Sequence, residues 1–135
     1  LPGLPKRYGS AGLYEERFVC LARAGHPRLG RGGLSLEAFL DLPHLLVTLR
    51  DDARGAVDAA LAKLGRSRRV AATVGRFLVV PHVLRDSDAV ATLPSRLALA
   101  VAAGAGCRVH EPPLALDGWT ETLVWSRAAE RLPLQ

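Results

Sequence analysis

The sequence is poor in the residues that build metal cages, disulfide frameworks and membrane spans. Its 135 residues include no methionine, two cysteines and only 5% aromatic residues. Cys20 and Cys107 lack a cysteine or histidine neighbour at metal-binding spacing, which argues against a zinc site. No apolar run approaches the ~18 residues of a membrane-spanning helix, and no signal-peptide pattern opens the chain. We therefore expect no cofactor, no metal, no membrane contact and two buried thiols.

Lysine is also scarce, since 18 basic residues include only Lys6 and Lys63 as lysines. The formal net charge is +5, yet the arginines are scattered through every segment. The tightest cluster, Arg66, Arg68 and Arg69, has no aromatic residues interleaved for stacking on bases. This pattern predicts solvated surface arginines and argues against a direct DNA-binding surface.

Hydrophobic residues, by contrast, make up 49% of the chain, which is enough for the core of one compact domain. The first residue is Leu1, and both ends of the chain are irregular in pattern. We therefore expect this chain to be a piece of a longer polypeptide.

Five short apolar runs alternate with four helix-like stretches between Arg17 and Pro113, which is typical of strand–helix–strand units and a parallel sheet. Ser35 is placed as a helix N-cap, and Gly65 as a helix-ending glycine. The predicted strands are residues 17–24, 44–49, 69–74, 89–93 and 107–110. The predicted helices are residues 36–42, 57–64, 77–84 and 94–103. Ligands of such sheets bind where the strands end, so function is expected there.

Five phrases, read in order, resemble the second half of the effector-binding domain of LysR-type transcriptional regulators. They are RFVCLARAGHP, LPHLLVT, GAVDAALAKLGRSRRVAATVGRF, RDSDAVATLPSRLA and EPPLALDGWTETLVW. The similarity looks closest to the branch that senses nodulation signals and aromatic compounds.

The resemblance implies an α/β fold: a type 2 periplasmic-binding-protein-like lobe with a largely parallel five-stranded sheet flanked by helices. In this family two such lobes are joined by two crossover strands, and the effector binds between them. Residues 17–113 then form the second lobe. Residues 1–16 and 114–135 are assigned to the crossovers and to remnants of the first lobe.

The resemblance also implies effector contacts in one loop. In relatives the loop after the third strand of this lobe reads Val-Pro-[His/Thr]-Phe, and its last three residues touch the effector. The matching residues here are Gly75, Arg76 and Phe77. A loop between a strand end and a helix start favours an anion, and Arg76 can grip a carboxylate with two hydrogen bonds. The alternative is a solvated Arg76 beside a core Phe77.

Three further candidates belong to the second predicted strand. Thr48 and Leu49 close this strand at the same edge, where Thr48 offers a hydroxyl, although a β-branched residue is also ordinary in a strand. His44 aligns with a histidine of some aromatic sensors, and a structural histidine bonded to the backbone fits the sequence equally. We expect His26, in a His-Pro turn, to be structural.

The implied function is effector sensing, coupled to DNA binding by a winged helix-turn-helix that is absent from this chain. The expected partners are an aromatic or carboxylate effector, further copies of the protein in a dimer or tetramer, and DNA only through the missing domain. The expected location is the cytoplasm. A lobe of a transport system's solute-binding protein is the alternative. No enzyme is expected, because the sequence shows no nucleophile elbow, phosphate-binding loop or dinucleotide fingerprint.

Overall fold

The structure is a computed structural model that describes residues 3–30, 32–48 and 55–131. Its strands are β1 (Tyr8–Glu16), β2 (Phe18–Arg23), β3 (Pro43–Val47), β4 (Arg69–Val74), β5 (Val90–Pro94), β6 (Cys107–His110) and β7 (Trp119–Ser126). Its helices are α1 (Leu36–Asp41), α2 (Ala56–Lys63), α3 (Val80–Leu84) and α4 (Ser95–Ala102). Short 3₁₀ turns cover Phe77–Val79 and Arg127–Arg131.

Contacts between residues divide the chain into two units instead of the single compact unit expected. Residues 17–117 form an α/β unit, and residues 1–16 with 118–135 form a second, flanking unit. The boundary falls after Asp117 and not after Pro113, because Leu114 and Leu116 pack against a buried cluster of the α/β unit. The assignment of the flanking segments to a first lobe stays a prediction.

The α/β unit contains one five-stranded sheet with the order β4-β3-β5-β2-β6. Strand β3 pairs in parallel with both β4 and β5, whereas β2 is antiparallel to β5 and β6. Four strands therefore share one direction, which confirms a largely parallel sheet. The expectation of parallel units from the first strand onward is wrong for β2, because an apolar run indicates burial but not strand direction.

The sheet is covered on both faces by helices. On one face α1 and α2 bury a cluster of Cys20, Ala22, Phe39, Val57, Leu61 and Val90. On the other face α3 and α4 bury a cluster of Val19, Leu21, Leu45, Val80, Leu84, Leu93 and Ala98. This three-layer arrangement explains why the predicted strands read as continuous apolar runs.

Local signals in the sequence fix where the helices begin and end. The Ser35 hydroxyl accepts a hydrogen bond of 3.2 Å from the Ala38 amide, which caps α1 as predicted. Gly65 has φ +67° and follows the end of α2, a conformation that suits glycine. Leu64 shares the helical spacing of the buried Val57 and Leu61, yet it lies at the end of α2 and is 54% exposed.

The flanking unit consists of the antiparallel pair β1 and β7, with Ala11 opposite Leu123. The residue pattern did not indicate β1, and only the family resemblance assigned residues 1–16 to a crossover or first-lobe remnant. The indole of Trp125 lies across Gly9, where a Cβ atom would meet ring carbons at 2.6 Å. Gly9 is thus required for the close approach of this ring, and its lack of a side chain weakens the apolar pattern that marks strands.

Candidate functional site

The parallel strands β3, β4 and β5 end at one edge of the sheet, which we call the strand-end edge. There the Thr48 amide donates a hydrogen bond of 3.0 Å to the Val74 carbonyl and extends the pairing beyond β3. A Cβ atom on Gly75 would lie 3.7 Å from the Thr48 carbonyl oxygen. The structure therefore places Thr48 and Gly75 side by side. Leu49, the neighbouring candidate, lies outside the described residues.

Arg76 and Phe77 follow at the strand-end edge and differ in burial. Arg76 is exposed, and no acidic side chain in the described ranges pairs with it. Phe77 is half-buried and packs against the cluster under α3 and α4. The next segment is a three-residue 3₁₀ turn followed by the five-residue α3, which is too short for a strong helix dipole. The guanidinium of Arg76 is thus the anion-attracting group here.

His44 lies at the opposite end of β3 and is not brought together with these residues. It is fully buried, and its Nε2 is 2.6 Å from the Phe39 carbonyl, which can only accept. Nδ1 then accepts from the Arg68 guanidinium at 3.4 Å. Burial lowers the pKa of His44 to about 4, so the ring is neutral at physiological pH. The geometry matches the structural interpretation of this histidine.

Arg68 forms a buried ion pair with Asp58 in the first turn of α2. Its Nε and Nη2 donate to the two carboxylate oxygens at 3.1 and 2.9 Å, and its side chain is 2% exposed. The prediction of a solvated arginine is therefore wrong for Arg68, because α2 packs over it and supplies a carboxylate. It holds for Arg66, whose half-exposed side chain pairs with an exposed Glu37.

A cavity of about 160 Å³, which we call the ring cavity, lies between the sheet and the amino end of α2. Strands β2, β3 and β5 form its walls, and Arg68 lies in its lining. The lining consists of Phe18, Thr92, Arg68, residues 45–47 and residues 55–57. It combines apolar side chains with one hydroxyl and one guanidinium, which suits a small organic ligand.

Two larger concavities lie elsewhere on the described part of the α/β unit. One of about 350 Å³ runs between the outer face of α2 and Leu114–Asp117, with a lining of alanine and leucine beside Lys63. The other, of about 580 Å³, is an open surface along β6. Neither is lined by the residues that end β3, β4 or β5, so we take the ring cavity as the candidate site.

The positions of the two cysteines do not allow their thiols to form a disulfide with each other or to share a metal ion. Cys20 lies opposite His110, and Cys107 lies opposite Arg23, three residues further along β2. Odd spacing places the thiols on opposite faces of the sheet. Burial raises the pKa of Cys20 to about 11, which keeps this thiol protonated. Cys107 is half-buried, so the expected full burial is correct only for Cys20.

The described ranges contain neither a cluster of metal-binding side chains nor a membrane-spanning helix. Histidine, cysteine and acidic side chains do not gather there in groups of three that could hold a metal ion. The helices of these ranges are also too short or too polar to cross a bilayer.

None of the predicted site residues lines the ring cavity, so sequence reasoning missed its whole lining, including Phe18, Thr92 and Arg68. Thr92 carried a usable signal, because it is a hydroxyl residue inside an otherwise apolar strand, and its Oγ1 lies 3.6 Å from the Cys20 thiol. Phe18 opens β2 opposite Pro94, at the strand-end edge, but only once the antiparallel direction of β2 is known. Arg68 carried no signal that separates it from its arginine neighbours.

The chain is similar to known proteins of one family. The family model of the LysR substrate binding domain matches residues 1–135. The chain is 29% identical over 133 residues to the HTH-type transcriptional activator NagR of Ralstonia sp., covering 98% of this chain and 44% of NagR. It is 30% identical over 124 residues to Nodulation protein D 1 of Bradyrhizobium sp. strain NC92, covering 91% and 39%. The chain thus spans less than half the length of these relatives.

Solved structures agree with this fold. The regulatory domain of MexT, a transcriptional activator in Pseudomonas aeruginosa, superposes with a TM-score of 0.79 at 28% sequence identity. The match covers 98% of this chain and 63% of that one.

Proposed function

This chain belongs to the family of LysR substrate-binding domains, and from that premise we propose that it senses a small-molecule effector for a bacterial transcriptional regulator. The ring cavity is the observation that carries the proposal. Three strands and the amino end of α2 converge on it, at the position where α/β sheets of this kind bind ligands.

The size and lining of the ring cavity favour an aromatic ligand. Its volume of about 160 Å³ is close to that of an apolar cavity of about 150 Å³ that holds benzene. Phe18 and Val57 offer apolar contacts to a ring. Outside the cavity, Arg76 supplies an exposed positive charge at the strand-end edge. We infer an aromatic effector with a carboxylate, whose ring enters the cavity and whose charge meets Arg76.

The effector contacts proposed at the strand-end edge are Thr48, Gly75, Arg76 and Phe77, with Leu49 kept from the sequence prediction. His44 is left out, because its ring is buried and both its nitrogens already have hydrogen-bond partners.

Effector binding changes the protein's affinity for DNA only if the effector binds two arrangements of the protein with different affinity. We propose that the rest of the protein supplies the DNA-binding domain, in line with the name of NagR as an HTH-type activator. Assembly as a dimer or tetramer, a cytoplasmic location and the absence of enzymatic activity follow from this role. A solute-binding protein of a transport system is not favoured, because NagR and MexT are named as transcriptional activators.

The test uses the whole protein that carries this chain, its promoter DNA, and benzoate as the probe. Benzoate should bind in calorimetry and change the promoter footprint. Thr92→Leu, which fills the ring cavity, should abolish both effects. Thr73→Leu is the matched control, because Thr73 is an exposed residue of β4 outside the cavity lining. This variant should retain both benzoate binding and the footprint change. Equal binding of benzoate by both variants would contradict the proposed site.

A further inference from the structure

We propose that Arg68 selects the effector by donating hydrogen bonds to an uncharged oxygen on the effector's ring, at the end of the ring that lies deepest in the ring cavity. This inference rests on the proposed effector site and deepens it. The ligand class it names is a planar ring whose inward substituent is a hydroxyl, carbonyl or ether oxygen, with any carboxylate at the outer end.

The donor capacity of Arg68 is only partly used inside the protein. A guanidinium carries five N–H groups. Nε and Nη2 each donate to Asp58, at 3.1 and 2.9 Å, and Nη1 donates to His44 at 3.4 Å. Two N–H groups, one on Nη1 and one on Nη2, have no acceptor among the residues that the structure describes, and we assign them to a ligand. Because Arg68 lines the ring cavity and its side chain is 2% exposed, the ligand that reaches them is one inside this cavity.

The charge balance around Arg68 favours a neutral acceptor over a carboxylate. Asp58 already compensates the positive charge, and its carboxylate is 15% exposed. A second carboxylate beside the same guanidinium would lose its hydration and meet Asp58 as a like charge. A hydroxyl or carbonyl oxygen avoids both penalties. The nearby Thr92 hydroxyl can also donate to such an oxygen.

A purely structural role for Arg68 makes a different prediction. Replacing a buried ion pair by apolar residues of similar volume is often neutral or stabilising, so folding alone does not require this pair. If Arg68 merely held α2 against the sheet, its loss would change the binding of every ring ligand alike. If Arg68 contacts the ligand, its loss affects only ligands with an inward oxygen.

Phenol and toluene separate the two roles, since they have nearly the same shape and only phenol carries the oxygen. Their dissociation constants are measured by NMR titration on the whole protein, for wild type, Arg68→Met and the double variant Arg68→Met/Asp58→Leu. The double variant removes both charges together and guards against misfolding from an unpaired Asp58. Arg66→Met, in the same turn with its half-exposed side chain, is the matched control.

Wild type and Arg66→Met should bind phenol about tenfold or more tightly than toluene, as one hydrogen bond to a charged donor predicts. In whichever Arg68 variants fold, this preference should fall to about twofold or less, with toluene affinity retained. A wild type without preference for phenol overturns the inference, and so does a folded double variant with the wild-type preference. In both cases ring binding persists and the proposed function stands. If the wild type binds neither probe, the proposed function fails with it.

Discussion

The two ends of strands β3 and β4 carry similar residues in opposite states. At the amino end, Arg68 is buried, paired with Asp58 and bonded to His44. At the carboxyl end, Arg76 is exposed and has no acidic partner among the described residues, and Thr48 beside it is half-buried. The same guanidinium group is therefore enclosed and bonded within the fold at one end of the sheet, and it is open to solvent at the other.

This difference follows from where the helix lies. Helix α2 runs over the sheet, and its first turn brings Asp58 to the Arg68 guanidinium. Asp58 also accepts from the Gly55 amide at 3.4 Å, so one carboxylate links Arg68 to the amino end of α2. A chain of hydrogen bonds then continues through His44 to the Phe39 carbonyl at the end of α1. Nothing comparable covers Arg76 within the described residues.

Among substitutions at the amino end of the sheet, Arg68→Ala should destabilise the fold most. This substitution leaves Asp58 buried without its partner, which should lower the free energy of unfolding by about 3–5 kcal/mol. Denaturant unfolding of the variant measures the loss. Arg66→Ala is the control from the same turn, and its more exposed pair with Glu37 should contribute less than about 1 kcal/mol. A loss at Arg68 no larger than that at Arg66 would contradict a buried, structural network.

Protonation of His44 should weaken the same end. Burial lowers the pKa of His44 from 6.5 to about 4, so the unfolded chain binds more protons between these pH values. The stabilisation is therefore complete above pH 6.5 and falls as the pH drops to 4, by up to about 3 kcal/mol. Unfolding at a series of pH values should show the stability gap between wild type and His44→Gln narrowing toward pH 4. The exposed His82→Gln should follow wild type throughout, and a constant gap for His44→Gln would refute the assignment.

Much of the fold could be predicted because buried apolar residues recur in the sequence at the spacing of helices and strands. The strands at Arg69–Val74 and Cys107–His110 have the predicted bounds, and the family with its nodulation branch is confirmed by relatives. The direction of β2 was not predictable, since its apolar run reads alike in either direction. The residue pattern alone did not reveal strand β1, because small and glycine residues at Gly9–Gly12 give little alternation.

The candidate site was predicted only in part, for a physical reason. Its exposed rim follows from the order of strands and loops, which placed Thr48 and Gly75 at one edge. The ring cavity depends on volume left unfilled between α2 and three strands, and no local pattern encodes an empty volume. The burial of Arg68 depends on its ion pair with Asp58, which lies ten residues earlier in the first turn of α2. The sequence around Arg68 does not show this pairing, so Arg68 could not be told apart from Arg66 and Arg69.

At the carboxyl end the effect of substitution should appear in binding and not in stability. Arg76→Ala in the whole protein should weaken binding of benzoate by about 1.5–3 kcal/mol, the range for hydrogen bonds to a charged group. Arg76→Lys should retain part of the affinity, because a lysine keeps the charge but loses the paired geometry. Calorimetry measures both variants, and unfolding experiments on them should match wild type, since an exposed arginine contributes little to stability. Unchanged affinity in both variants would remove Arg76 from the site and leave Phe77 and Thr48 as contacts for a neutral ligand.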